Sequence, residues 1–448
     1  MKGTIERLRG LGGEIWAWMM YDFANSAFAT TILAVIFNQY YARVIAGGPA
    51  GTDLDFLGFR FNLPGAALFE LSVVFGTVIT VIISPFAGIY ADLTGGKKRL
   101  LVGTLTAGSL FTAALALVRP GEAVLGGLIF GIALACFFLS LNFYNAFLPQ
   151  ICAPADLGLV SGISWAIGYL GGGGCLLLNL MMLENPQILG FPSGIFGIQH
   201  VILSVAVWWL VFSLPLILWV RERPASFAVV EKRSRPRRIL RHSASVFRDL
   251  RLFNQLWTFL LAYIFFTNGI ETTISSASIF GNEELGMDTG ALIVLFLIVQ
   301  FTAFPGALLF GVLVDRFGNK ISLMISLVVW VAALAWVYNL DIFLDPVREF
   351  HAAAVLVGMV MGGSQAAARS LFASFTPVHR SAEFFSFYGI AGRISATLGP
   401  LAFAAVNTAT RSVRQSILVL VFFFFCGMIV LSRVNEAEGI RQSRSGSV

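Results

Sequence analysis

Long apolar runs separated by short polar gaps repeat along this chain from one end to the other. A helix rises 1.5 Å per residue, so about 20 apolar residues cross a hydrocarbon core of about 30 Å. With that length as a ruler the pattern predicts twelve transmembrane helices, at about 15–45, 65–91, 99–118, 122–148, 158–183, 199–220, 255–280, 290–314, 320–340, 350–374, 383–407 and 413–433. The first run exceeds a simple crossing, so that helix is expected to tilt or to project past the bilayer. The longest polar gap, 221–254, separates six spans from six. The expected domains are therefore an N-terminal six-helix bundle (1–220), a basic linker (221–254), and a C-terminal six-helix bundle with a short tail (255–448). Within the linker, Arg237–Leu252 reads either as an amphipathic helix on an anionic leaflet or as a solvated connector.

Composition agrees with a lipid-embedded chain. Of the 448 residues, 57% are apolar and 12% charged, whereas soluble chains carry about a quarter charged residues. Mean hydropathy is +0.82. The net charge of +6 could suggest a nucleic-acid partner, but the basic residues fall in the gaps between apolar runs, as membrane orientation requires. No nucleic-acid partner is expected, while membrane lipids are. The start of the chain resembles a signal peptide, with Ala27-Phe28-Ala29 as a mock cleavage site, yet Asp22 and Asn25 interrupt its apolar run and favour an uncleaved first helix.

An even number of spans puts both termini on one side. That side carries 22 of the 30 Lys and Arg residues; the opposite side carries six, Arg43, Arg60, Arg119, Arg348, Arg411 and Arg414, and Arg369 and Arg393 lie within spans. The bias predicts cytoplasmic termini, in a bacterial plasma membrane. Trp16, Trp18 and Tyr21 near one end of the first span, and Tyr40 and Tyr41 near the other, are expected in interfacial aromatic belts.

Two gaps share a pattern. After span two the chain reads Gly88-Ile-Tyr-Ala-Asp92-Leu-Thr-Gly95-Gly96-Lys97-Lys98-Arg99, and after span eight Gly311-Val-Leu-Val-Asp315-Arg316-Phe-Gly318-Asn319-Lys320. Both follow G-x-x-x-D-x-x-G and then a basic residue, 223 positions apart, about half the chain. Two copies at equivalent points imply an internal duplication. Glycine permits close helix approach, the acid can pair with arginine or cap a helix N-terminus, and the basic residues hold the loop inside. The pattern resembles the loop signature of the major facilitator superfamily, whose members have twelve spans, cytoplasmic termini and a long central loop.

Further strings resemble one branch of that superfamily. They are Tyr21-Asp22-Phe23-Ala24-Asn25-Ser26-Ala27-Phe28, Asn142-Phe-Tyr-Asn145-Ala-Phe-Leu-Pro149, Ser164-Trp165-Ala166-Ile-Gly168-Tyr169-Leu-Gly171-Gly172, Gly362-Gly363-Ser-Gln365-Ala-Ala-Ala-Arg369-Ser370 and Glu383-Phe-Phe-Ser-Phe-Tyr388 with Leu398-Gly399-Pro400. Over nearly the whole chain the likeness is to the vacuolar-effluxer-like facilitators, related to the fungal autophagy protein that exports amino acids from the vacuole. Span seven departs from it: where that family tends to carry an aspartate, this chain has Asn268, with Glu271 three residues on and on the same helical face.

Ionisable groups inside a membrane cost several kcal/mol unless they face a cavity or a partner. Here they are Asp22, Glu70, Glu271, Arg369 and Arg393. The facilitator resemblance implies that spans one, four, seven and ten line a central cavity. Asp22/Asn25, Asn142/Asn145, Asn268/Glu271 and Gln365/Arg369 fall on those spans, each pair three or four residues apart. They are the candidate substrate and proton pathway, against the plainer reading that such residues hydrogen-bond helix to helix. Asp22 and Arg369, both toward the inner ends of their spans, are expected to pair as a gate, and Glu271 near mid-span is the expected proton carrier. Arg393 is expected to pack against the cavity wall and Glu70 to lie at an interface. The run Gly171–Gly174 is expected to permit close packing or flexing of span five.

The chain carries no phosphate-binding Gly-rich loop, nucleophile elbow or paired metal-ligand spacing, so neither an enzyme nor a cofactor or metal is expected. The leading expectation is a monomeric, all-α secondary transporter of small organic solutes, proton-linked and working by alternating access, with amino acids first by resemblance. The alternatives are an exporter of amphipathic, drug-like compounds, or a non-transporting receptor or lipid-handling protein on the same fold.

Overall fold

The computed structural model describes residue 7 and residues 10–56, 59–223, 252–343 and 345–445. The linker segment Arg237–Leu252 falls outside the described residues but for its last position. The described residues include twelve long helices: α1 Gly13–Ile45, α2 Gly65–Thr94, α3 Lys97–Ala114, α4 Ala123–Ile151, α5 Leu157–Glu184, α6 Ile198–Trp219, α7 Asn254–Glu283, α8 Thr289–Phe317, α9 Asn319–Tyr338, α10 Pro346–Phe375, α11 Ser381–Thr410 and α12 Val413–Ser432. All twelve expected spans are helices. Eleven are long and apolar enough to cross a membrane. The remaining one, α7, is as long at 30 residues, but Asn268, Glu271, Thr272, Thr273, Ser275 and Ser276 dilute its hydropathy. Such a helix crosses where neighbouring helices, not lipid, surround its polar face.

Two elements were not foreseen. A hairpin of β1 (Thr52–Phe56) and β2 (Phe59–Leu63), antiparallel with Thr52 opposite Leu63, joins α1 to α2. A final amphipathic helix, α13 (Glu436–Ser445), folds back against α10 and α7.

The duplication read from the loops extends to packing. Within the first half α1 packs on α5 and α6, α2 on α4, and α3 on α4 and α6; adding six to each number gives the contacts of the second half. The halves meet through α5 with α8 and α2 with α11, a pairing that the same operation maps onto itself.

Lipid-facing and inward faces are inverted relative to a soluble helix. On α2 the outer stripe is Leu71, Val74, Val78 and Ile82, all exposed, and the buried stripe is Ser72, Gly76, Thr80, Ser84 and Gly88, one small residue per turn. Lipid is as apolar as leucine, so helices associate through close backbone approach, which small side chains allow. A Cβ on Gly76 would lie 2.5 Å from the Gly131 carbonyl oxygen of α4, and one on Gly88 would lie 2.6 Å from that of Ala382 in α11.

The first helix is irregular. The N–H of Ile36 bonds the carbonyl of Thr31, and that of Ala46 the carbonyl of Tyr41, each five residues back. These wide π turns occupy Phe28–Val35 and Tyr41–Ile45. The belt expectation fails for three aromatics of this helix. Trp18, Tyr21 and Tyr41 are at most 1% exposed, because their polar atoms find interior partners: Trp18 Nε1 donates to Tyr144 O, Tyr21 Oη to Ser140 Oγ and Tyr41 Oη to Ala123 O.

Candidate functional site

Deep between the halves, on the side where the chain begins and ends, Arg369 of α10 reaches into the N-terminal half. Its Nη1 donates to Asp22 Oδ2 of α1 at 2.8 Å, its Nε to Ser161 Oγ of α5 at 3.0 Å and its Nη2 to Ser161 O at 2.9 Å. A longer contact of 3.4 Å reaches Asn145 Oδ1 of α4. Four helices thus meet on one guanidinium. Asp22 and Arg369 are 5% and 2% exposed, so each charge depends on the other, and removing either partner would strand a buried ion.

A hydrogen-bond chain fixes Asp22. Ser164 Oγ donates to Asp22 Oδ2 at 2.5 Å, and with its proton so committed it accepts from Tyr144 Oη at 2.7 Å. The Trp18 and Tyr144 rings stack at 4.4 Å. The Arg369 guanidinium lies over Trp18 and Trp165 at 5.4 and 5.2 Å from their ring centres, so apolar π faces cover what the oxygens leave open. One tier further on, Tyr169 of α5 donates from its hydroxyl to Gln365 Oε1 of α10.

The next tier carries charges without polar partners. Glu271 of α7 and Arg393 of α11 are half-buried between the halves. They lie within electrostatic reach of one another, yet among the described residues neither side chain makes a hydrogen bond or salt bridge. Arg393 sits 3.8 Å from the Phe138 ring of α4, in the other half. Tyr263 and Tyr388, stacked at 4.3 Å, border it.

The remaining predicted residues differ in their partners. Asn142 Nδ2 donates to Ser84 Oγ of α2 at 2.9 Å, and its Oδ1 would lie 2.1 Å from a Cβ on Gly389 of α11. Asn268 donates to its own helix at Ile264 O, and among the described residues its Oδ1 has no hydrogen-bond partner where α7 presses on Gly399. Asn25 is 4% exposed, with Nδ2 unpartnered among the described residues. Gln300 is buried beside Gly173 of α5, and Glu70 is exposed on α2. Gly171 and Gly172 permit close approach, since a Cβ on Gly171 would lie 2.2 Å from Phe23 O of α1.

The two loop motifs share a frame and differ in use. In the first, Asp92 pairs with Lys97 at 2.8 Å and accepts from the backbone N–H groups of Ala382 and Glu383 at 3.2 and 2.8 Å, capping α11 of the opposite half. Lys97 Nζ donates to Ser381 Oγ at 2.8 Å. Gly95 turns the chain at φ +63, and Arg99 is exposed. In the second, Gly318 turns at φ +83 and Gly311 packs against Gly162 of α5, but Asp315 pairs with Arg7 of the N-terminal arm at 2.8 Å. The Arg7 Nε also donates to Asp156 Oδ1 at 2.9 Å.

A matched pair of acids escaped the sequence reading. Glu222, after α6, accepts from the N–H groups of Lys97 and Lys98 at 2.7 and 3.0 Å, while Lys98 Nζ donates to Val220 O at 2.7 Å. Glu436, after α12, accepts from those of Asn319 and Lys320 at 3.3 and 3.1 Å, while Lys320 Nζ donates to Ser432 O at 2.8 Å. Each carboxylate satisfies orphan donors at a helix N-terminus, of α3 and of α9. The signal was present in the sequence as an acid just past the sixth and twelfth spans.

Comparison with known proteins accounts for this architecture. A family model described as Vacuole effluxer Atg22 like matches residues 13–444. The uncharacterized MFS-type transporter YxiO of Bacillus subtilis (strain 168) is 27% identical over 424 residues, spanning 94% of each chain. Autophagy-related protein 22 of Eremothecium gossypii is 24% identical over 495 residues, spanning 96% of this chain and 94% of its own. Among solved structures, the proton:xylose symporter XylE superposes with a TM-score of 0.71 at 13% identity, covering 97% of this chain and 98% of its own. FucP in its outward conformation gives 0.69 at 14% identity, covering 94% and 98%. These relatives and neighbours are transporters, not enzymes. With the fold, the duplicated loops and a family match along almost its full length, the chain is a multi-pass membrane protein of the major facilitator superfamily and belongs to the vacuole effluxer Atg22-like family.

Proposed function

We propose that this protein is a secondary active transporter that moves a small organic solute by alternating access, with amino acids the first substrates to test and a proton the coupling ion. The observation that carries the reading is Arg369 bonded across the halves to Asp22 and Ser161. Together with Asp92 capping α11, this bonding closes the termini side, while Glu271 and Arg393 stand unbonded beyond it. A transporter needs such a latch to form in one state and part in the other, around a site near mid-membrane. Glu271 is the proton carrier of the proposal, being a half-buried acid without a polar partner. The termini face the cytoplasm of a bacterial cell, by the excess of Lys and Arg on their side. The relatives named for vacuolar efflux and autophagy support amino acids as the starting panel.

Purified protein in proteoliposomes should take up at least one labelled amino acid faster with a pH gradient than without. In Glu271→Gln that acceleration should vanish while solute counterflow persists. Failure of every amino acid in the panel would remove the substrate assignment, and gradient-driven uptake by Glu271→Gln at the wild-type rate would remove the proton role.

A further inference from the structure

Among the described residues two arginines lie inside the bundle, Arg369 buried and Arg393 half-buried, and the structure treats them oppositely. Arg369 commits Nε, Nη1 and Nη2 to oxygen acceptors. Arg393, midway along α11, commits none among the described residues: its guanidinium rests 3.8 Å from the Phe138 ring across the interface between the halves. A guanidinium offers five N–H donors, and leaving them unused in a membrane interior is costly. A ring face relieves part of the positive charge but accepts no hydrogen bond comparable to that of a carboxylate. Glu271, within electrostatic reach, has not closed onto Arg393 as a salt bridge. The two opposite charges stand apart, and together they are neutral. A doubly charged anion such as phosphate would leave two uncompensated charges there and a lone carboxylate one, unless a proton on Glu271 offsets it, whereas a zwitterion leaves none.

We infer that Arg393 is the residue that grips a carboxylate of the transported solute, and that the Phe138 ring is the resting place its guanidinium leaves when that carboxylate binds. This rests on the proposed transport role and extends it, because Phe138 belongs to one half and Arg393 to the other. Binding the anion therefore removes a contact between α4 and α11, so that occupancy itself loosens the interface that must part. Arg393 is a specificity residue in this scheme, and the apolar wall of Tyr263 and Tyr388 beside it accommodates the non-polar part of the solute.

The test is thermal unfolding of the full chain in detergent, with the twenty amino acids, short mono- and dicarboxylates, and the decarboxylated amine and deaminated acid matching each amino acid that stabilises. Bound solute raises the midpoint by mass action. Compounds with a carboxylate should stabilise the wild type and their decarboxylated amines should not. Arg393→Gln should lose the effect, Arg393→Lys should retain a weaker one, and each variant's unliganded midpoint reports its folding. Phe138→Leu, which frees the guanidinium, should bind the same carboxylates about three- to tenfold more tightly, the range expected for a lost cation–π contact. Equal stabilisation by a decarboxylated amine, unchanged binding by Arg393→Gln, or no carboxylate response in the wild type would overturn the assignment. Unchanged affinity in Phe138→Leu would overturn the resting position. Carboxylate binding that depends on Arg393 in a protein that transports nothing would sink the transport reading, and with it the word transported, and leave Arg393 as a carboxylate-binding residue.

Discussion

Asp22 and Arg369 show how far single residues can be read from a membrane sequence. Each is expensive alone in lipid, so each predicted a partner, and position along the spans put both near the same end. The structure joins them at 2.8 Å. The same reasoning set Arg393 against the cavity wall but could not show that its donors meet no acceptor, because the presence of acceptors is a property of neighbouring helices. Nor could it foresee that Trp18 and Tyr21 turn inward, since an aromatic near a helix end satisfies the belt pattern whichever way it faces. Breaking the buried pair by Asp22→Asn or Arg369→Gln alone should destabilise the solubilised protein by about 3–5 kcal/mol. The double variant should recover part of that loss, so a cycle of unfolding free energies should give a coupling of about 1–3 kcal/mol. A coupling near zero would show that Ser161, not Asp22, holds Arg369.

At the scale of elements, the number and order of helices were legible because each apolar run must cross on its own, whereas the contacts between helices rest on small residues that leave little mark in hydropathy. The glycines of α5 are an example. Gly171 sits where a Cβ would lie 2.2 Å from Phe23 O, so Gly171→Leu should push α1 from α5 and cost about 1–3 kcal/mol or more. Gly174, one turn on and with open space around its Cα, is the control: Gly174→Leu should unfold within a degree or two of wild type. Similar midpoints for the two variants would mean that the helix pair adapts. The hairpin β1–β2 was missed although Asp53-Leu54-Asp55-Phe56 and Phe59-Arg60-Phe61-Asn62-Leu63 alternate at the period of a strand, because a ruler of about 20 apolar residues passes over five-residue strands; the helix α13 was missed because it is short and polar.

On the scale of the whole molecule, duplication was readable from two loop motifs, but the divergence of the copies was not. Asp92 caps a helix of the other half, while Asp315 holds Arg7 of the N-terminal arm. The closed side is therefore fastened by different chemistry at its two symmetric points. In a background free of the native cysteines, a membrane-impermeant thiol reagent should label Glu271→Cys from the side opposite the termini and not from the termini side. Asn145→Cys should resist the reagent from the termini side until Asp22→Asn or Arg369→Gln releases the latch. Ready labelling of Asn145→Cys with the latch intact would contradict a closed termini side. Burial pushes the native Cys152 thiol, between α4 and α5, up to about 12, which keeps it a poor nucleophile.

The wide turns of α1 carry a consequence for the length of the chain itself. A turn closed by a bond to the fifth residue back holds one residue more than its α-helical equivalent. Deleting a residue within Phe28–Val35 lets that turn relax to ordinary α geometry, with the helix above and below it still presenting the same faces. The same deletion in a regular stretch, such as the middle of α2, rotates everything beyond it by about 100° and turns the Thr80, Ser84 and Gly88 part of the small-residue stripe away from its partners. Asp22 thus sits on a helix that can lose a residue and still face Arg369, a tolerance that a regular α-helix lacks.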